Sequence, residues 1–171
     1  MLIGTSTTLR AWTVNDAPNI QKLKNDVDIQ TQIMGVPKPN SINKILNWLK
    51  SRDKDENMVF FIIARSSDDE AVGYIQLSNI DKFNQFGYLG ICLEKEFWGS
   101  GYAKESLNLL NEYAASILSL RKILLLVRHD NHRAINFYKK AGFDAIGTLK
   151  KHHLIRGIWT DVLMMESVIA K

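Results

Sequence analysis

The stretch of this chain richest in chemistry is a pair of glycines set just before a helix. The run Phe86 to Leu107, FGYLGICLEKEFWGSGYAKESL, starts as a strand pattern. It breaks at Trp98-Gly99-Ser100-Gly101-Tyr102-Ala103 and continues as an amphipathic helical pattern. Strand, glycine turn and helix in that order gather unpaired backbone N–H groups around one point, and the helix dipole adds partial positive charge there. A phosphate or pyrophosphate is the natural guest. Glycine at both positions lets the backbone approach an anion without a Cβ in the way. The same kind of turn also joins strands to helices with no ligand involved, so the flanking sequence has to decide.

Other groups able to do chemistry are sparser. Cys92 is the single cysteine, which excludes an intramolecular disulfide framework. No histidine is fixed beside it by spacing, and a cysteine within a strand is ordinarily a small hydrophobe, not a nucleophile. His129 and His132 stand three apart without a carboxylate or cysteine cluster, so no metal site is expected. Lys150-Lys151-His152-His153 reads first as a solvated edge or turn. Trp12, Trp48 and Trp159 read as core or subsite walls, and Tyr138, judged by periodicity alone, reads as a core aromatic.

These groups need a scaffold, and 171 residues suffice for one domain with a full core, taken as residues 1–171. The 46% hydrophobic and 23% charged content is that of a soluble globular chain. A net charge of +4 favours anionic ligands but lacks the concentrated basic patch of a nucleic-acid binder. The start, MLIGTSTTLRAW, has neither the basic region nor the long apolar region of a signal peptide. No apolar run nears the roughly 20 residues that span a bilayer. The expectation is a cytoplasmic protein with neither nucleic acid nor membrane as partner.

Hydrophobic period orders the elements. Thr7 to Trp12 reads as a first strand. Asn15-Asp16 offers a cap for a helix bearing Ala17, Ile20, Leu23 and Val27, and Asp28 to Met34 reads as a short second helix. Ser41 caps a third, with Ile42, Ile45, Leu46 and Leu49 on one face. Met58 to Ala64 reads as a strand buried on both faces. Ala71 to Ile80 and the Phe86 strand follow, giving three consecutive antiparallel strands before the glycine turn. After it, Ala103, Leu107, Leu110, Ala114 and Ile117 form one helix face. Lys122 to Val127 is a buried strand, Asp130-Asn131 caps a helix to Ala141, and Gly142 takes the left-handed stop position. Phe143 to Ile146, Leu149 to Ile155 and Trp159 to Val168 read as closing strands, the last two joined near Gly157. The class is α/β (α+β), with a mixed, mostly antiparallel central sheet flanked by helices, and without the βαβ alternation of a doubly wound fold.

Two of these stretches carry a family resemblance. Trp98-Gly99-Ser100-Gly101-Tyr102-Ala103 is similar to the acyl-CoA signature Gln/Arg-x-x-Gly-x-Gly/Ala of the GNAT N-acetyltransferase superfamily. Asn131-His132-Arg133-Ala134-Ile135-Asn136-Phe137-Tyr138-Lys139-Lys140-Ala141-Gly142-Phe143 resembles its second motif, Asn-x-x-(Ser/Ala)-x-x-(aromatic)-Tyr-x-Lys-x-Gly-Phe. Order and spacing of both agree, as does the element order over essentially the whole chain. The Leu9-Arg10 opening and the Gly157 to Asp161 ending resemble the RimJ/RimL-type branch.

The resemblance implies a GNAT acyl-CoA N-acyltransferase fold and an acetyl-CoA-dependent N-acetyltransferase. Acetyl-CoA is then the co-substrate, and no metal takes part. It implies that the backbone of Ile91, Cys92 and Leu93 pairs with the pantetheine arm, near a bulge that splays two parallel strands. The N–H groups from Gly99 through Ser100, Gly101, Tyr102, Ala103 and Lys104 would hold the pyrophosphate. Asn131 would bond the pantetheine region, and Tyr138 would protonate the departing thiolate. Elementary chemistry agrees. Attack of a neutral amine on a thioester builds charge on the carbonyl oxygen and then on sulfur, where a strand N–H and a Tyr O–H can each stabilise it. Holding amine and thioester together in a ternary complex supplies much of the acceleration, with no covalent enzyme intermediate.

The chain departs from the family pattern twice. Trp98 stands at the Gln/Arg position, and Ala134 stands where many relatives carry Ser. No residue declares itself the base: Glu94, Glu96, Asp130, His152 and a water chain all stay open. The acceptor pocket of the superfamily falls at about residues 28–40 and 149–160 here. An amino-sugar nucleotide or a protein N-terminal amine is the expected acceptor, small molecule or peptide. A polyamine such as spermidine is the alternative, with Asp26 and Asp28 a thin supply of carboxylates, and a non-catalytic acyl-CoA-binding module is a further one. A homodimer is compatible with all of these.

Overall fold

The computed structural model describes residues 1–169. Its elements are β1 (Leu2–Ile3), β2 (Thr7–Arg10), α1 (Ala17–Asn25), α2 (Val27–Gln32), α3 (Ile42–Asp53), β3 (Val59–Arg65), β4 (Ala71–Asp81), β5 (Phe86–Leu93), α4 (Tyr102–Ser116), β6 (Lys122–Arg128), α5 (His132–Lys140), β7 (Asp144–Ile155) and β8 (Ile158–Val168). The strands form one sheet of eight in the order β1-β2-β3-β4-β5-β6-β8-β7. The pair β5 and β6 is parallel, and the other neighbouring pairs are antiparallel. This is the mixed, mostly antiparallel α/β arrangement expected.

Two apolar cores sit on opposite faces. Leu107, Leu110 and Ala114 of α4 and Ile135 of α5 pack on Ile63, Ile75, Leu77, Leu125 and Met165. Ile20 and Leu23 of α1, Ile29 of α2, and Ile45 and Leu49 of α3 pack on Ile62, Ala64, Tyr74 and Cys92. Alternation along β3 and β4 sends successive side chains to different faces, so those strands are buried twice over.

Local signals fix several boundaries. Ser41 Oγ accepts from Lys44 N at the start of α3 (3.3 Å). Asp26 Oδ1 accepts from Ile29 N and splits α1 from α2 (2.8 Å). Arg10 meets Asp16 through two bonds of 2.9 Å and reaches Asp69 at 2.7 Å. It thereby ties β2 to the entry of α1 and to the β3–β4 turn. Removing Arg10 costs about 3–5 kcal/mol, because the buried Asp16 carboxylate stays behind without its cation.

Several expectations are corrected. The first strand ends at Arg10 rather than Trp12, and β1 precedes it. Val27 is half exposed, because the Asp26 cap turns it out. Ile117 lies one residue past α4 and is 66% exposed, so the helical period outlasts the helix. Phe143–Ile146 and Leu149–Ile155 are not separate strands. They merge into β7, which keeps its pairing with β8 through register shifts at Ala145/Gly147 and Leu149/His153. Trp159 is 59% exposed, so of the two roles expected of it the core one is excluded.

Candidate active site

The parallel pair is short. Partners run Phe86↔Lys122, Gly87↔Ile123 and Tyr88↔Leu124, and there β5 and β6 part. The gap is a cavity of about 370 Å³, walled by Leu89 to Leu93 of β5, Leu126 and Val127 of β6, Ile29, Gln32 and Ile33 beside α2, and Ala134, Phe137 and Tyr138 of α5. Ile91, Cys92 and Leu93 pair with Ile75, Tyr74 and Gly73 of β4 on their other edge. An extended guest can therefore add to the β6-facing edge as a strand would. The expected bulge lies elsewhere: β4–β5 register is unbroken from Ser78↔Tyr88 to Gly73↔Leu93, and its shift falls between Ser78 and Asp81. The slot opens by divergence of β5 and β6 without a register shift beside Cys92.

At the outer end, Gly99 and Ala103 line the cavity. Gly99 and Gly101 have φ of +82° and +92°, and a Cβ added at either meets nothing within 4 Å. Glycine is needed there for its left-handed backbone, and the open space above the turn leaves room for an anion. Tyr102, Ala103 and Lys104 form the first turn of α4, where backbone N–H groups have no helical partner. Ser100 N–H turns back to Phe97 O at 3.4 Å, so it is less available than its neighbours. Side chains of Ser100, Tyr102 and Lys104 are not among those lining the cavity.

Asn131 lines the cavity and also caps α5, its Oδ1 accepting from Ala134 N (3.2 Å). Tyr138, two turns along α5, faces the same space with its ring against Phe137 and Phe143 at 5.2 and 5.7 Å. Burial, with a smaller contribution from Cys92, pushes its phenol up to about 12. It therefore keeps its proton at neutral pH, as a group that donates to a leaving thiolate must. Burial also raises the Cys92 thiol to about 12, against smaller opposing effects of Lys24 and Tyr74. A thiol held neutral in this way is a poor nucleophile.

No Asp, Glu or His lines this cavity among the described residues. Of the base candidates, Glu94 is buried and paired with Lys22, Glu96 is exposed and shares that lysine (3.1 Å), and His152 stands on the exposed face of β7. Asp130 lines a second cavity of about 520 Å³, shared with Asp28, Thr31, Gln32, Lys95, Trp98, Arg128, Ile155, Arg156, Ile158 and Thr160. Arg128 hydrogen-bonds Asp130 at 2.6 Å and holds its carboxyl below the usual range, which weakens it as a base. Gln32 and Trp98 line both cavities, so the two adjoin. The second cavity falls where the sequence places the acceptor. Its charges are already paired: Asp28 with Arg156 at 2.9 Å and Lys95 at 3.4 Å, Asp130 with Arg128.

Sequence reasoning misses three of these residues. Gln32 carries a weak signal, a polar side chain beside Ile29 and Ile33 on one helix face. Arg156 gives none, since its partner Asp28 is 128 residues away. Arg133 lies inside the second motif at a position the pattern leaves free; its guanidinium stacks 3.5 Å above the Trp98 ring. Among the described residues, no group of three or more His, Cys, Asp or Glu could hold a metal, and no helix is long and apolar enough to cross a membrane.

Comparison with known proteins agrees with this geometry. The model of the acetyltransferase (GNAT) domain family matches residues 7–144. A spermidine N(1)-acetyltransferase of Vibrio cholerae serotype O1 is 27% identical over 164 residues, 96% of this chain and 94% of that protein. The spermidine N(1)-acetyltransferase of Escherichia coli K12 is 30% identical over 98 residues, 57% of this chain and 53% of that protein. Among solved structures, the spermidine N-acetyltransferase from Vibrio cholerae in complex with CoA and spermine superposes with a TM-score of 0.89 at 25% identity, covering 96% of each chain.

Proposed function

The chain belongs to the GNAT acetyltransferase family, and from that premise we propose that it moves the acetyl group of acetyl-CoA to a primary amine of a polyamine of the spermidine type. N-acetyltransfer with acetyl-CoA as co-substrate is the family's chemistry; the acceptor and the residue roles are our reading. It rests above all on one observation: a donor-shaped slot with Tyr138 at its wall opens, across Gln32 and Trp98, into a second cavity bearing Asp28 and Asp130. The similarity to two spermidine acetyltransferases supports a cationic acceptor over the RimJ/RimL-type reading.

The geometry supports the following roles. Ile91 to Leu93 offer a free strand edge to the pantetheine arm, and the turn from Gly99 to Lys104 offers N–H groups to the pyrophosphate. Asn131, its Oδ1 committed to the α5 cap, offers its amide nitrogen. The strand N–H groups near Cys92 stabilise charge on the thioester oxygen as the N–C bond forms and the C–S bond breaks; the leaving sulfur takes the Tyr138 proton, and the proton shed by the attacking nitrogen restores the phenol. With no base in the inner cavity, the amine reaches it already neutral, its proton having gone to water in the outer cavity. Spermidine carries ammonium groups that Asp28 and Asp130 would attract once Arg156 and Arg128 give way.

An amino-sugar nucleotide is the second reading, favoured by a specific feature. Lys95, Arg128 and Arg156 outnumber Asp28 and Asp130 around the outer cavity, which suits a diphosphate. An acceptor panel of spermidine, spermine, a uridine-diphosphate amino sugar and an N-terminal serine peptide, read by CoA thiol release, separates these readings. Turnover confined to the polyamines supports the first, and turnover confined to the nucleotide overturns it. Acetyl-CoA binding without thiol release on any amine leaves the non-catalytic module. Exposed Ile146, Leu154, Ile158 and Trp159 on the β7–β8 hairpin further support self-association through that hairpin.

A further inference from the structure

The departure at Trp98 has a counterpart in space. The superfamily signature that this turn resembles has Gln or Arg at that position, beside the glycine turn. Here the indole lies there, fixed by its Nε1–H donating to Leu93 O at 3.0 Å. The Arg133 guanidinium lies over that indole, 3.5 Å from its centroid. Arg133 reaches it from the first turn of α5, and both side chains line the donor cavity with Gly99 and Ala103.

Three features set Arg133 apart from a surface arginine. Arg10, Arg65, Arg128 and Arg156 each hold a carboxylate, whereas Arg133, like Arg52 and Arg121, has no acidic partner within salt-bridge distance among the described residues, and of these three Arg133 alone lines the donor cavity. No carboxylate lines the cavity that could satisfy it. Partial burial opposes its charge and lowers its pKa, although a guanidinium stays protonated at any physiological pH. An unpaired cation pre-set on an aromatic platform at the wall of the cavity is placed to meet an anion. Stacking leaves the edge of the guanidinium free to donate two parallel N–H bonds to phosphate oxygens.

We propose that Arg133, laid on the Trp98 indole, is the side-chain cation that grips the pyrophosphate of acetyl-CoA, standing in space where the family's Gln/Arg stands in sequence. The backbone turn from Gly99 to Lys104 supplies the N–H groups, and Arg133 supplies the charge. Trp98 acts as the positioning residue. The inference rests on acetyl-CoA as the donor, so wild-type protein that fails to bind acetyl-CoA in calorimetry overturns that reading first.

With binding established, Arg133→Gln should weaken acetyl-CoA about tenfold to a hundredfold, the range for a lost charge-assisted bond. It should leave the KM for the amine unchanged. The same loss is expected with 3′-dephospho-acetyl-CoA. Arg133→Lys, which keeps the charge but not the flat fork, should recover only part of the affinity. Trp98→Leu should weaken binding in the same direction, and adding Arg133→Gln to it should cost little more, because the two act as a unit. Arg133 is exposed on α5, so its variants fold regardless of how Trp98→Leu behaves. Affinity within twofold of wild type in Arg133→Gln overturns the proposal. A loss confined to acetyl-CoA and absent with the dephospho form overturns the pyrophosphate assignment in favour of the 3′-phosphate. Full additivity with Trp98→Leu overturns the platform.

Discussion

The two adjoining cavities are built from different materials. The inner one is made of backbone: a strand edge left open where β5 and β6 part, two left-handed glycines and the first turn of α4. Its side chains are mostly apolar, with Gln32, Asn131, Arg133 and Tyr138 the larger polar exceptions. The outer one is made of side-chain charge, with Asp28, Asp130, Lys95, Arg128 and Arg156 drawn from four separate parts of the chain. Backbone recognition suits a donor shared across a whole family, because it tolerates changes of side chain. Side-chain recognition suits an acceptor that differs from one member to the next. Substitutions should therefore sort by cavity, and each of the following can break that division.

The largest effect belongs to Tyr138. Tyr138→Phe removes the proton from the leaving group's side and should lower kcat by about 100- to 10,000-fold while acetyl-CoA affinity holds, measured by thiol release and calorimetry. Equal rates in the two proteins would remove Tyr138 from the mechanism. Gly101→Val comes next. A β-branched residue at φ +92° is strained by about 1–3 kcal/mol, and relief of that strain turns the N–H groups away from the phosphate. Acetyl-CoA should bind about 10- to 100-fold more weakly, with Tm lowered and the amine KM untouched. Unchanged affinity in a folded variant would refute the cradle.

On the acceptor side the effects shrink, because the charges are exposed. Asp28→Asn should raise the KM for spermidine about two- to fivefold and leave acetyl-CoA affinity alone, since ion pairs near the surface are heavily screened. A shift in acetyl-CoA affinity instead would mean that the cavities are coupled, not separate. The smallest effect concerns pH. Because burial raises the Tyr138 phenol, the folded protein keeps that proton above pH 10.0, where the unfolded chain loses it. Stability carried by the neutral phenol is thus complete below pH 10.0 and declines as pH rises toward about 12. Activity should show no falling limb from Tyr138 below pH 10.0 in rate–pH profiles, and Tyr138→Phe should flatten the alkaline loss of stability in melts.

The same contrast explains what could be read from the sequence. Backbone devices leave local marks: Gly99 and Gly101 before a helix period, Asn131 at a cap, Gly142 at a stop with φ +87°. They mark the glycine turn at the mouth of the inner cavity, the helix starts and most strands. Where local pattern and tertiary pairing compete, the pattern fails. Leu149 to Ile155 reads as a separate strand because Gly147 interrupts the period, yet bulges let β7 run on along β8. Ile117 continues an apolar period beyond the end of α4, where nothing packs on it. The outer cavity was legible only as a region. Its charges meet through contacts such as Asp28 with Arg156 that no spacing encodes. Tyr138 was ambiguous for a related reason: an aromatic on an apolar helix face looks the same whether it fills a core or borders a cavity.

The central claim is that both substrates sit together, one in each cavity, and react without a covalent enzyme intermediate. Initial rates measured over a grid of acetyl-CoA and spermidine concentrations test it directly. Reciprocal plots that intersect, with Cys92→Ala retaining its rate, are the expected result. Parallel lines, with an acetyl group trapped on Cys92 when the amine is left out, would contradict it.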